Sequence, residues 1–203
     1  MNVKKLYECL LEKYGPQGWW PLQGRYHQKI RSDRDRLEIC IGAILTQNTG
    51  WKNAAAAIEK ISMAGLMDVG KLHEIPGVKL QSVIRSSGYY RQKAKKIKCF
   101  VAHVRKRGLK RFFSQDVPEL RKELLSLWGI GPETADSIIL YAAQKPVFVV
   151  DEYTRRVLLR YGMIPPGVSY DDIQSLFHKK LPADAKLFNE YHALLVEHAK
   201  RMR

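Results

Sequence analysis

Cysteine is scarce in this chain of 203 residues: Cys9, Cys40 and Cys99 are the only ones, and none follows Cys99. Three scattered thiols exclude a disulfide framework and a Cys-x-x-Cys metal site, and read as reduced cytosolic side chains. Long apolar runs are also missing. No stretch approaches the ~20 residues that cross a bilayer, and the first turns of sequence are interrupted by Glu8, Glu12 and Lys13, where a signal peptide would stay apolar. There is no internal repeat and no low-complexity tract. Strand-like sequence is confined to Pro146-Val-Phe-Val-Val150, and a single strand cannot build a sheet. Acids are absent from Ile75 to Gln115, a window that holds twelve bases: Lys79, Arg85, Arg91, Lys93, Lys95, Lys96, Lys98, Arg105, Lys106, Arg107, Lys110 and Arg111.

That window supplies most of the net charge of +15. A polyanion is the natural partner of such a surface; a merely solvated basic face is the simpler alternative, because Ile97, Phe100, Val101 and Val104 show that the same segment also builds core. With 45% apolar residues the chain can bury a core as one unit or two small lobes. Helical spacing of apolar residues covers 3–14, 37–47, 52–63, 80–87, 92–107, 116–127, 152–161, 170–180 and 186–202, with Gly or Pro at nearly every junction. The fold is therefore expected to be all-α.

Residues 124–162 carry the most specific pattern. A helix opening near Pro118 ends at Trp128-Gly-Ile-Gly131, and Pro132 restarts a second helix with Ala135, Ile138, Ile139 and Ala142 on one face. Gly129 and Gly131 tolerate positive φ and close backbone approach. A Gly-x-Gly turn feeding a helix N-terminus presents unpaired N–H groups that suit a phosphate oxygen without reading base sequence, and Thr134 adds a hydroxyl there. A helix corner that only packs a bundle carries the same short motif; the basic window just before it favours the polyanion. Asp151 stands at the end of the Pro-bounded apolar run, either as the N-cap of the next helix, as a reactive carboxylate, or as both.

Together these residues resemble the helix-hairpin-helix DNA glycosylases typified by endonuclease III, over almost the whole chain. Ile41-Gly-Ala-Ile-Leu-Thr-Gln-Asn-Thr49 is similar to that family's early buried helix ending in Gln, and Gly88-Tyr89 with Lys93-Ala94 to its Gly-Tyr…Lys-Ala segment. Ala143-Gln-Lys145 lacks the glycine usual before the essential Asp. Two departures place the chain within the family. Glu133 stands where bifunctional members carry the lysine that forms a Schiff base, and the cysteines of an iron–sulfur cluster are missing. Trp19-Trp-Pro21, Leu45-Thr-Gln-Asn-Thr49 and Gly129-Ile-Gly-x-Glu-Thr-Ala135 most resemble the cluster-less 3-methyladenine DNA glycosylase III group.

The resemblance implies a two-lobed helix-hairpin-helix glycosylase fold, with residues 35–139 forming a six-helix lobe, residues 1–34 and 140–203 the other, and the active site between them. It implies a monofunctional glycosylase of base excision repair acting on alkylated purines, foremost 3-methyladenine. Asp151 is then the catalytic carboxylate. Trp19, Trp20, Pro21, Trp51 and Glu133 form the base pocket, where aromatic faces select a cationic base by cation–π attraction worth ~0.5–2 kcal/mol. Gln47 fills the gap left by a flipped nucleotide, with Asn48, Gly129, Gly131 and Thr134 on DNA. The backbone carbonyls of Leu125, Leu127 and Ile130 are the candidate ligands of a structural monovalent cation, and no other cofactor is implied. The implied partner is damaged double-stranded DNA, bound by a monomer in the cytoplasm at the nucleoid. A glycosylase for mismatched pyrimidines or oxidised bases, and a non-catalytic DNA-binding module, are the alternatives.

Overall fold

A computed structural model describes residues 2–202. It contains twelve α-helices and, among the described residues, no strand beyond one isolated bridge between Leu22 and Arg25. No helix is long and apolar enough to cross a membrane. Side-chain caps set many of the boundaries: Asn2, Ser32, Asp68, Asp116, Asp151, Ser169 and Asp184 each accept a backbone N–H from the first turn of the adjoining helix. Ser32 and Asp35 form a reciprocal capping box.

Helix α1 (Val3–Tyr14) leads through a long loop to α2 (Asp33–Leu45), which is buried on nearly every side from Leu37 to Leu45. A helix apolar all round belongs in the middle of a bundle. Around it pack α3 (Trp51–Met63), α6 (Tyr90–Arg105) and α7 (Leu109–Phe113), with α4 (Val69–Glu74) and α5 (Gly77–Val83) laid on α6. The spacing argument misses α4 and α7, which have six and five residues and too few turns to show a period. The hairpin is α8 (Val117–Leu125) and α9 (Pro132–Ser137).

Helix α9 continues as a π turn over Ile138–Ala142, where the Ala143 N–H donates to the Ile138 carbonyl. Such turns insert one residue and rotate the side chains beyond them; here the turn carries Tyr141 into the interior. The strand-like run at 146–150 is extended but pairs with no strand. Its buried polar backbone is served by side chains of α11 (Tyr170–Lys180): the Phe148 N–H donates to His178 Nε2 at 2.9 Å, the Phe148 carbonyl accepts from Gln174 Nε2 at 2.7 Å, and the Val150 N–H approaches the Tyr170 hydroxyl at 3.4 Å. Burial holds the His178 imidazole below its ordinary pKa, so it stays neutral and keeps that acceptor. Phe148 stacks on Phe177 with centroids 3.6 Å apart.

The run ends at Asp151, the N-cap of α10 (Glu152–Arg160), and α12 (Ala185–Arg201) packs against both α10 and α1. Asp136 on α9, fully buried, fastens the hairpin to this half of the molecule. Its carboxylate accepts Arg121 Nε at 2.7 Å, Arg121 Nη2 at 3.2 Å, the Tyr170 hydroxyl at 2.8 Å and Gln174 Nε2 at 2.8 Å.

Candidate active site

A cavity of about 240 Å³ opens where the loop before α2, the start of α3, α9 with its π turn, and α12 meet. Trp19, Trp51, Tyr26 and Tyr153 give its aromatic walls, and Glu133, Asp151, His192 and Lys200 its ionisable groups. Trp19 meets Trp51 edge-on with centroids 4.7 Å apart. Trp20 is 7% exposed and packs on Trp51 and Tyr141. Glycine at position 42 of α2 admits it, since a Cβ there would lie 2.5 Å from the indole. Trp20 is thus mainly core, while Trp19 and Trp51 are half-buried and offer their faces to a ligand. Pro21 lies outside the cavity. It turns the chain toward the Leu22–Arg25 bridge and lines a separate groove with Gln23 and Glu38, so its expected place in the base pocket is corrected.

Asp151 fills the two roles its position allows. Oδ1 accepts the Thr154 N–H at 2.7 Å, closing the cap, while Oδ2 lies 3.4 Å from His192 Nε2. Burial pushes this carboxyl's pKa up, but the His192 imidazole and the Thr154 donor outweigh it, and the net shift is downward. Asp151 is therefore an anion at neutral pH. Glu133 shifts the other way, raised by burial and by the Asp151 charge. Its side chain is still open to solvent at the cavity mouth, which softens that effect. An anion beside an acid held nearer neutrality suits a site that receives a cationic or electron-poor ring.

Gln47 is tied down. Its Nε2 donates to Thr134 Oγ1 at 2.8 Å and to the Gly129 carbonyl at 3.1 Å, and Lys96 donates to its Oε1. Asn48, exposed and left-handed at φ 51°, turns the chain directly after it. The hydroxyl of Thr134, on a buried residue, accepts from Gln47. Of the two glycines, Gly129 is used as expected and Gly131 is not. Gly129 has φ 81°, and a Cβ there would meet Lys96 at 2.7 Å, so both freedoms are used. Gly131 has φ −96°, and a Cβ there would find nothing within 4 Å, so its lack of a side chain leaves open space ahead of α9. The Leu127 carbonyl accepts the Ile130 N–H, whereas those of Leu125 and Ile130 accept no backbone hydrogen bond of the turn.

The basic window is partly spent on structure. Lys93 is 1% exposed and donates to the carbonyls of Leu45 and Ser87, and Lys98 donates to those of His73 and Ile75. Lys79, Arg85, Arg91, Lys95, Lys106, Lys110 and Arg111 remain exposed, and Lys95 sits 4.2 Å over Trp128, itself 45% exposed on the hairpin turn. Sequence reasoning misses Tyr141, His192 and Glu190, and it reads Lys96 only as one base of the window, not as the donor to Gln47. Tyr141 and His192 belong to buried helix faces with no motif around them; Glu190 accepts the N–H groups of Gln17 and Gly18 and so fixes the loop that leads to Trp19. Only the assembled fold brings Tyr141 and His192 to the cavity.

The description "HhH-GPD superfamily base excision DNA repair protein" matches residues 41–183. A Methanocaldococcus jannaschii protein provisionally named a DNA repair glycosylase is 42% identical over 98% of this chain and 87% of its own length. The structure of H. pylori 3-methyladenine DNA glycosylase bound to 1,N6-ethenoadenine superposes with a TM-score of 0.80 at 27% identity, over 99% of this chain and 98% of that one. An endonuclease III–DNA covalent intermediate gives a TM-score of 0.72 at 20% identity, over 97% and 85%, a likeness of fold.

Proposed function

This chain belongs to the HhH-GPD superfamily of base excision DNA repair proteins and is a DNA glycosylase, and from that premise we propose that it is a monofunctional one that hydrolyses the N-glycosidic bond of alkylated purines, foremost 3-methyladenine. The observation that carries the reading is the composition of one cavity, lined by Trp19 and Trp51 together with the carboxyl groups of Asp151 and Glu133. N3-methylation gives adenine a positive charge, and aromatic faces with flanking carboxylates favour that charge over the normal base. The likeness to the H. pylori enzyme supports the same substrate class.

The chemistry follows from the charge of the base. A cationic base leaves neutral, so its departure needs no general acid, and one anion suffices to stabilise the oxocarbenium-like sugar and orient water. Asp151, held ionised, supplies it. Extruding the nucleotide costs a few kcal/mol, least where a lesion already weakens pairing; Gln47, with Asn48 at the turn behind it, fills the gap after leaving Thr134 and Gly129. The open N-terminus of α9 at Gly131 and the exposed bases near Lys95 hold the phosphates. In this reading the lobes are residues 35–139 and residues 1–34 with 140–203, the carbonyls of Leu125, Leu127 and Ile130 hold a monovalent ion beside a phosphate, and the protein acts as a monomer.

Glu133 cannot form an imine, which argues against lyase activity. The test is incubation with DNA carrying labelled methylated purines. Free 3-methyladenine with no strand cleavage, lost in Asp151→Asn, is the expected result. Borohydride trapping of a covalent complex through Lys200, the lysine that lines the cavity, would overturn the monofunctional assignment. Release only from T:G or oxidised substrates would overturn the substrate.

A further inference from the structure

Two buried side chains behind Asp151 form a chain of their own. The Tyr141 hydroxyl lies 2.5 Å from His192 Nδ1, and His192 Nε2 faces Asp151 Oδ2 at 3.4 Å. Tyr141 is 3% exposed, and His192 is its hydroxyl's partner. A buried O–H must donate, so it donates to Nδ1. With Nδ1 accepting, the imidazole N–H stands on Nε2. That Nε2 is buried without a well-formed hydrogen bond among the described residues, and the Asp151 carboxylate is the acceptor it faces. Loose geometry of this kind is common in catalytic pairs before substrate binds.

We infer that His192, its tautomer set by Tyr141, is a positioning residue that presents an N–H to Asp151 Oδ2 and thereby fixes both the orientation and the ionised state of the catalytic carboxylate. The inference rests on the reading of Asp151 as catalytic. Oδ1 holds the Thr154 N–H and Oδ2 faces His192 Nε2, so the two neighbours together oppose rotation of the carboxyl about its bond to Cβ. Each oxygen retains a lone pair for sugar or water. A hydrogen bond to the charged form of an acid favours that form, in keeping with the lowered pKa of Asp151, to which His192 contributes.

The other ionisable groups facing this carboxylate work against its charge or leave it alone. Glu133 from α9 is raised by burial and by the charges of Asp151 and Glu152, and Tyr141 from the π turn by burial, Asp151 and Glu190, so neither stabilises the Asp151 charge. Tyr153, Glu197 and Lys200 line the same cavity farther round its wall. Among the described residues the His192 imidazole is the side chain facing Asp151 that, beside the Thr154 cap, lowers its pKa.

The experiment uses the full chain and two readouts. The first is single-turnover release of a methylated purine from DNA as a function of pH. The second is the titration of the Asp151 carboxyl carbon by 13C NMR, which needs no substrate. In His192→Leu the release rate falls about 10- to 100-fold with DNA affinity unchanged within about threefold, and both the acid limb of the profile and the carboxyl titration move up by about one pH unit. His192→Gln restores an N–H and recovers part of both. Should the leucine variant fail to fold, Tyr141→Phe carries the test, since it removes only the hydroxyl that sets the tautomer and shifts both readouts the same way by less. An unchanged carboxyl titration in His192→Leu, or in Tyr141→Phe where that variant replaces it, overturns the inference. Wild-type protein that releases no methylated purine overturns the substrate reading instead, and the NMR titration still decides the role of His192.

Discussion

The Gln47 side-chain amide donates to the Thr134 hydroxyl at 2.8 Å, so the residue proposed to enter DNA is held against the hairpin when no DNA is bound. Thr134→Val deletes the acceptor and leaves the shape. One hydrogen bond of this kind is worth about 0.5–1.5 kcal/mol. Its loss penalises the unbound state alone, so affinity for DNA with an abasic-site analogue should rise by about two- to tenfold in fluorescence anisotropy. Weaker binding would mean that the Thr134 hydroxyl touches DNA.

Asp151→Asn keeps a capping oxygen for the Thr154 N–H and removes the charge. Base release should fall by at least about 100-fold while DNA binding stays. The folded carboxyl has a depressed pKa. It therefore adds stability that is present above the unfolded value and is lost as pH falls through the folded one. Thermal melts of wild type and Asp151→Asn should accordingly converge toward acid; parallel curves would show that the charge carries no linkage.

The two hairpin glycines should separate stability from binding. Gly129→Ala forces a left-handed alanine, costing about 1–2 kcal/mol, and pushes on Lys96. Gly131→Ala meets nothing in the folded chain, so its urea midpoint should match wild type, yet its methyl occupies the space in front of the α9 N–H groups and DNA affinity should drop. Equal affinity for Gly131→Ala and wild type would remove that helix end from the interface.

The basic window should divide in the same way. Lys95→Met is expected to lower the salt dependence of DNA binding by about one phosphate contact. Lys93→Met is expected to leave it unchanged, because Lys93 Nζ serves the Leu45 and Ser87 carbonyls. Burial, with Lys96 nearby, lowers the Lys93 pKa to about 8. Its folded form thus releases a proton before the unfolded chain does, and wild-type stability should gain relative to Lys93→Met as pH rises from about 8 toward the ordinary lysine value. A flat difference across that window would contradict the assignment.

Asp136 tests how the hairpin is anchored. Asp136→Ala leaves the Arg121, Tyr170 and Gln174 groups unpaired, and breaking a buried pair costs about 3–5 kcal/mol. A loss below about 1 kcal/mol in urea unfolding would show that solvent or neighbours replace the carboxylate.

The elements legible in the sequence are those with a repeating period or a fixed local chemistry. Residues 3–14 are expected as a helix and form one, because its apolar stripe and its glycine stop are both local. The hairpin and Asp151 are legible for the same reason. Trp20 is expected at the base and lines the cavity while lying mostly in the core, since how far an indole faces a ligand or Gly42 depends on packing between segments far apart in the chain. Pro21 is misplaced by a turn of the chain, and the Thr134 contact with Gln47, which spans 87 positions, leaves no local pattern. His192 is invisible in the sequence because its meaning lies in Tyr141, 51 residues before it.

The extended run that delivers Asp151 borrows its hydrogen bonds from Gln174, His178 and Tyr170 rather than from a neighbouring strand. Helix α11 touches no expected substrate, yet fraying of that one helix would strip the run of its partners and set the carboxylate adrift. The chemistry of the site therefore inherits the local stability of a distant surface helix, and slow hydrogen exchange at the Phe148 amide would be the measure of how long the catalytic geometry persists.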